Sequence, residues 1–171
     1  MRKRVIFKNF RRPFPFFVFK PLLIRKNHEF TITRKIKFTE SCIYDGSEGG
    51  FGKNKLFGFG IGFGLRSHHN TSFRFGYDCV RKKLRLLSYE YINGIRLHEL
   101  IVDIIPDKWY GLTINYKPER SVIVFEIHDG NETHKLERVV DFKKWQLGYG
   151  LGMYFGGQRK APHKMVFYEI K

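Results

Sequence analysis

Tyr110-Gly111-Leu112-Thr113-Ile114-Asn115-Tyr116 alternates large apolar residues with small or polar ones, and after a polar break Ile123-Val124-Phe125-Glu126-Ile127 repeats the pattern. Side chains of a strand point alternately to its two faces, so each run predicts a strand with one face in a core. The same period of two recurs on both sides of this pair. Phe30, Ile32, Ile36 and Phe38 alternate with Thr31, Thr33, Lys35 and Lys37, while Phe73, Phe75 and Tyr77 alternate with Arg74, Gly76 and Asp78. Lys164 to Ile170 is a further β-rich run, and no stretch sustains a period of 3.6.

Turn residues divide the runs. Asn93-Gly94 lies between Leu84–Ile92 and Ile95–Ile105 and suits the tight hairpin turn that needs positive φ at both central residues. Asp129-Gly130-Asn131 predicts a second turn between Ser121–His128 and Thr133–Val140, and Asp45-Gly46, Gly49-Gly50 and Gly156-Gly157 mark others. Ten or more strands at this spacing predict an all-β fold, a two-sheet antiparallel β-sandwich of the jelly-roll type.

The chain has 171 residues, enough for one domain with its own core. Its charge is lopsided: 32 Lys and Arg against 16 Asp and Glu give +16. Residues 1–37 hold twelve of the basic groups and one acid, Glu29, hence +11 of that excess. This divides the chain into a basic, aromatic N-terminal arm, residues 1–28, and a sandwich domain, residues 29–171. Arg2, Lys3, Arg4, Lys8, Arg11 and Arg12 are the candidate contacts for an acidic macromolecule, with a neighbouring protein slightly favoured over nucleic acid. Phe14 to Phe19 is too short and too soon interrupted by Lys20 for a signal peptide or a membrane span, so neither classical secretion nor membrane insertion is expected.

Two glycine-rich runs stand apart. In Phe57 to Gly64 and Leu147 to Met153, every second residue is glycine. Gly58, Gly60 and Gly62, with Gly148, Gly150 and Gly152, would leave a bare strand face, and two such strands side by side would form a shallow trough for an extended ligand such as a glycan. Arg66, His68, His69 and Asn70 form the candidate ligand loop.

No constellation for catalysis is visible. Glu99, Asp103 and Asp107 are spaced by four, which does not pair carboxylates on a strand face. Cys42 and Cys79 lack the surroundings of a nucleophile, and His68-His69 has no partners in sequence for a metal. No enzyme activity, metal or cofactor is expected. Trp109, opening its strand, is expected as a plug in the core.

The stretch Asp107 to Tyr116 followed by Ser121–His128 resembles the strand pair of concanavalin A-like lectin and laminin-G-like jelly rolls. The longer run from Phe38-Thr39-Glu40-Ser41-Cys42-Ile43-Tyr44-Asp45, through Asn54 to Gly60, to Phe73-Arg74-Phe75-Gly76-Tyr77 resembles small proteins of Bacteroidetes and of their tailed, crAss-like phages. The resemblance implies a jelly roll in a virion-associated or phage-encoded structural or interaction protein, placed in a virion or the host cytoplasm. A lectin-like carbohydrate-binding or carbohydrate-active module is the alternative, and a single-stranded nucleic-acid binder a third.

Overall fold

The computed structural model describes residues 1–10, 21–45, 53–62, 67–156 and 160–170. Twelve strands run through them: β1 (Arg2–Ile6), β2 (Pro21–Arg25), β3 (Phe30–Phe38), β4 (Asn54–Ile61), β5 (Ser72–Val80), β6 (Lys83–Ile92), β7 (Ile95–Ile104), β8 (Trp109–Lys117), β9 (Val122–His128), β10 (Thr133–Val139), β11 (Trp145–Leu151) and β12 (Met165–Ile170). They form two six-stranded sheets. The first has the order β1-β12-β3-β8-β9-β10, the second β2-β11-β4-β5-β6-β7, and every strand pairing is antiparallel. The expected sandwich is the observed architecture.

The sheets meet through the alternating faces read from the sequence. Phe30 packs edge-on against Phe59 with ring centroids 5.0 Å apart, Phe38 against Tyr77 at 5.4 Å and Phe75 against Phe125 at 5.3 Å, each pair bridging the two sheets. Such edge-to-face pairs add to the area term that drives the sheets together. At one open edge the core is closed by charge. Arg138 of β10 points between the sheets, where its Nε lies 3.0 Å from Glu90 Oε2 and its Nη2 is 2.6 Å from Glu99 Oε2. Glu90 is fully buried.

The turns follow backbone chemistry. Asn93 and Gly94 both adopt positive φ, 51° and 80°, and join β6 to β7 in a two-residue hairpin. Asp129 Oδ1 accepts the amides of Asn131 and Glu132, both at 2.9 Å, and so turns β9 into β10. The β5–β6 hairpin turns on Arg81 and Lys82 at φ 49° and 61° without a glycine, and the sequence carries no signal for it. The turn glycines Gly46, Gly49, Gly50 and Gly157 lie outside the described residues.

The expected N-terminal arm is woven into both sheets where it is described. β1 pairs with β12 at the edge of the first sheet, and β2 pairs with β11 at the edge of the second. Ile6 and Ile24 are buried in the core. Alternation is what makes this possible: Arg4 and Ile6 point inward, and the charges that do not are on the solvent side. Trp109 also departs from expectation. It shares the outer face of the first sheet with Lys37, its register partner, whose Nζ lies 5.6 Å from the indole. Tyr110, the next residue, takes the core position.

A close approach fixes one glycine. A Cβ built at Gly58 would strike the backbone oxygen of Phe73 and lie 2.6 Å from Arg74 Cα. Gly58→Ala is therefore expected to destabilise by roughly 1–3 kcal/mol, whereas Gly111→Ala, where the nearest atom is an ordinary 3.6 Å away, should leave the melting temperature nearly unchanged. Thermal denaturation of both variants checks this.

Candidate functional site

The outer face of the second sheet carries the densest polar and aromatic cluster. Strand register sets its rows. One row reads Leu151, Gly58, Arg74, Tyr89, His98 across five strands; the next reads Tyr149, Gly60, Ser72, Tyr91, Arg96. A third reads Tyr154, Lys55, Gly76, Leu87, Leu100. Each row contains one glycine on this face. These bare positions let long side chains from neighbouring strands lie flat. Arg74 passes over Gly58, and a Cβ at Gly76 would come 3.2 Å from Tyr89 Cβ.

The two glycine runs do lie on paired strands, but they point to opposite faces. Tyr149 is opposite Gly60 and Leu151 opposite Gly58, while Gly148 and Gly150 are opposite the core-facing Ile61 and Phe59. The expected common trough is thus divided. Gly58 and Gly60 open the outer face; Gly148 turns inward, where a Cβ would meet Gly60 O at 2.5 Å and Ile24 Cδ1 at 3.3 Å. Gly62, at φ +102°, ends β4 by donating its amide to Leu147 O, and Gly152 accepts a hydrogen bond from Arg74.

The candidate loop joins this face. His68 and His69 belong to a 3₁₀ turn, Ser67–His69, and Asn70 follows it; Arg66 lies outside the described residues. His68 Nδ1 is 3.1 Å from Tyr149 Oη, and the backbone amide of His68 donates to the same oxygen at 3.2 Å. Ser67 Oγ is 3.0 Å from it. His69 stacks on Tyr91 at 5.2 Å, and Tyr91 meets Tyr89 edge-on at 5.9 Å. Lys55 Nζ sits 4.5 Å above the Tyr89 ring.

Cations dominate the electrostatics of this cluster. Arg74 is 7% exposed. Its Nη2 donates to Gly152 O at 2.6 Å, and its Nε is buried with no hydrogen-bond partner among the described residues. Burial lowers the Arg74 guanidinium to about 10. Burial, with the charges of Arg74 and Arg96, lowers Lys55 to about 8. Burial, followed by His69, Arg74 and Lys55, lowers His68 to about 4, so its imidazole is neutral at pH 7. Of the acids on this face, Asp78 is already engaged by Lys53 and Arg85, the latter with both Nε and Nη2, and Asp103 is the register partner of Arg85.

The Lys55 shift makes a pH prediction. Its folded pKa lies below the ordinary value, so at pH 7 folding carries a penalty for the buried ammonium. That penalty fades as pH rises from about 8 to 10.5, where the unfolded chain still holds the proton and the folded one has shed it. Lys55→Met, of similar length, is expected to melt higher than wild type at pH 7, with the gap closing toward pH 10.5. Melting curves of both chains across that range are the check.

The remaining sequence candidates fall elsewhere. Arg4 Nε pairs with Glu169 Oε2 at 2.9 Å, and Arg34 Nε holds the other oxygen of that carboxylate at 3.3 Å. Lys3 lies beside Tyr168 on the outer face of the first sheet, Lys8 follows β1, and Arg11 and Arg12 lie outside the described residues. Cys42 and Cys79 are buried free thiols, and burial pushes Cys42 up to about 12. Among the described residues no three His, Cys, Asp or Glu gather as a metal site, and no helix is long and apolar enough to cross a membrane. Sequence reasoning flagged the glycines and the histidines. It passed over Arg74, Lys55, Tyr89, Tyr91 and Tyr149, because in an alternating run the polar partner of a core residue reads as solvated.

No family model matches the chain, and no curated protein matches it in sequence. Solved structures do match in fold. The winged bean acidic lectin, complexed with methyl-α-D-galactose, superposes with a TM-score of 0.53 at 12% identity over 86% of this chain and 72% of the lectin. A Saccharomyces cerevisiae protein described as functionally unknown gives 0.52 at 13% over 98% of this chain and 87% of its own. Alginate lyase A1-II′, of polysaccharide lyase family 7, gives 0.52 at 13% over 86% of this chain; the match spans 62% of the lyase. Identities this low establish the shared concanavalin A-like jelly roll and nothing finer.

Proposed function

We propose that the protein is a carbohydrate-binding jelly roll and that the glycan lies across the outer face of its second sheet. The observation that carries this reading is the convergence of Tyr89, Tyr91, Tyr149, His68, His69, Arg74 and Lys55 on one glycine-hollowed face. Tyrosine offers a flat apolar ring for the C–H face of a sugar and a hydroxyl for its polar edge, and the histidines and cations supply further donors. The neighbours support the reading: one is a lectin complexed with methyl-α-D-galactose and another an alginate lyase, both alike to this chain in fold.

Screening the chain against immobilised glycans should return binders. Tyr91→Ala, which removes the ring on which His69 stacks, should weaken the best of them roughly 3- to 10-fold without loss of fold. A chain that binds no glycan in the screen would overturn the proposal.

A second reading, cleavage of the bound glycan, is favoured by one observation. A neutral imidazole and a phenol, His68 and Tyr149, share a hydrogen bond at the edge of the cationic cluster. Such a pair can accept a proton at one position and donate one at another. New reducing ends or new carbon–carbon double bonds after incubation with polysaccharides, abolished in Tyr149→Phe, would establish it; their absence from a chain that binds leaves binding alone.

A further inference from the structure

Arg74 is the anomaly of the face. A guanidinium removed from water is normally paired, because an uncompensated buried charge is costly and a buried donor without an acceptor forfeits its hydration. Here the guanidinium makes one hydrogen bond, to a backbone carbonyl, and its Nε–H points at no acceptor among the described residues. Its charged neighbours compound the imbalance: Lys55 shows no ion pair among the described residues, and Arg96 adds a third positive group nearby. Among the described residues, the other titratable side chains of these rows and of the adjoining turn are Tyr89, Tyr91, Tyr149, Tyr154, His68, His69 and His98, none of them a carboxylate. Asp78 is neutralised on the same face by Lys53 and Arg85.

Resting on the glycan-binding reading above, we infer that the ligand is an acidic sugar chain and that one of its carboxylates supplies the missing counter-charge, accepting from Arg74 Nε and approached by Lys55. The chemistry is specific. The Nε–H edge of a guanidinium, with the second hydrogen of Nη2, presents two parallel donors that match the two oxygens of a carboxylate. The tyrosine rings beside it suit the pyranose that carries the carboxylate. A neutral sugar leaves Arg74 as unpaired as it is without ligand. The chain's excess of +16 then also draws a polyanion toward the face.

The test pairs each acid with its neutral twin. Short oligomers of galacturonate, mannuronate and glucuronate are titrated calorimetrically into the full chain, alongside the same oligomers with carboxylates reduced to primary alcohols. At least one acidic oligomer is expected to bind tenfold or more tightly than its reduced form. Lys55→Met, chosen because it removes charge while keeping length, should erase most of that difference. Arg74→Gln should do the same; Arg74→Lys, which keeps the charge but not the two-donor edge, covers the case in which the glutamine variant fails to fold, and should retain only part of the preference. Equal binding of acidic and reduced oligomers overturns the carboxylate inference while leaving glycan binding intact. Equal binding of a sulfated oligomer with no carboxylate also overturns it, since any polyanion would then serve. If no oligomer of any kind binds, and the glycan screen is also empty, both readings fall.

Discussion

A chain lacking residues 1–12 is expected to lose its cooperative thermal transition, or to melt far below the full-length protein. Deletion strips β1 from β12 and exposes the backbone of an inner strand of the first sheet. It removes Ile6, a fully buried core residue, and the loss of one such side chain typically destabilises by about 2–5 kcal/mol. It also takes Arg4 away from Glu169, which among the described residues is then left with Arg34. The sum is comparable with the whole stability of an ordinary domain, roughly 5–15 kcal/mol. Circular dichroism melts of the two chains read the result directly. Unchanged melting would mean that β1 is a detachable tether after all. Ile6→Ala separates the two contributions: it should lower stability by the core term alone, with the sheet edge left in place.

The second large effect is expected at Arg138. Its guanidinium is the partner of Glu90, whose side chain is wholly buried between the sheets. Burial already raises the Glu90 carboxyl above its usual range, with Arg138 opposing that rise. Arg138→Met leaves the carboxylate without its counter-charge, and breaking a buried pair from one side costs about 3–5 kcal/mol. The sign of the pH dependence follows. With Arg138 gone the folded pKa of Glu90 climbs further above its unfolded value, so between the two the folded state holds a proton that the unfolded state has lost. The deficit of the variant should shrink as pH falls toward that raised pKa. Adding Glu90→Gln to Arg138→Met should recover part of the loss at pH 7, because the amide needs hydrogen bonds but no counter-charge. Denaturant melts of wild type, single and double variants at two pH values test all three statements. A deficit that does not change with pH would place the effect of Arg138 in its packing and not its charge.

Much of the sandwich was legible because its strands bury one face. The runs around Phe73, Tyr110 and Ile123 alternate cleanly, and Asn93-Gly94 and Asp129-Gly130 have the backbone chemistry their turns require. The edges were not. In β1 and β2 the inward residues are Arg4, Ile6, Leu22 and Ile24, and a guanidinium at a core-facing position disguises the period. The Arg81-Lys82 turn was invisible for a different reason, since neither residue is one that favours positive φ. The site was half legible. Glycines at every second position announced a strand face open to close approach, but only register reveals that Gly58 and Gly60 face outward while Gly148 and Gly150 face in. Arg74 could not be singled out at all: its meaning depends on being buried without a partner, a property of three dimensions.

The measurement that bears most directly on the proposed binding face is an amide and side-chain NMR shift map of the full chain titrated with the tightest acidic oligosaccharide. Perturbations should cluster on the outer face of the second sheet, at Lys55, His68, Arg74, Tyr89, Tyr91 and Tyr149, with the Arg74 Nε–H signal moving most as it gains an acceptor. Shifts confined instead to the basic, aromatic strip on the outer face of the first sheet, where Lys3, Tyr168, Lys37 and Trp109 lie in register, would contradict it.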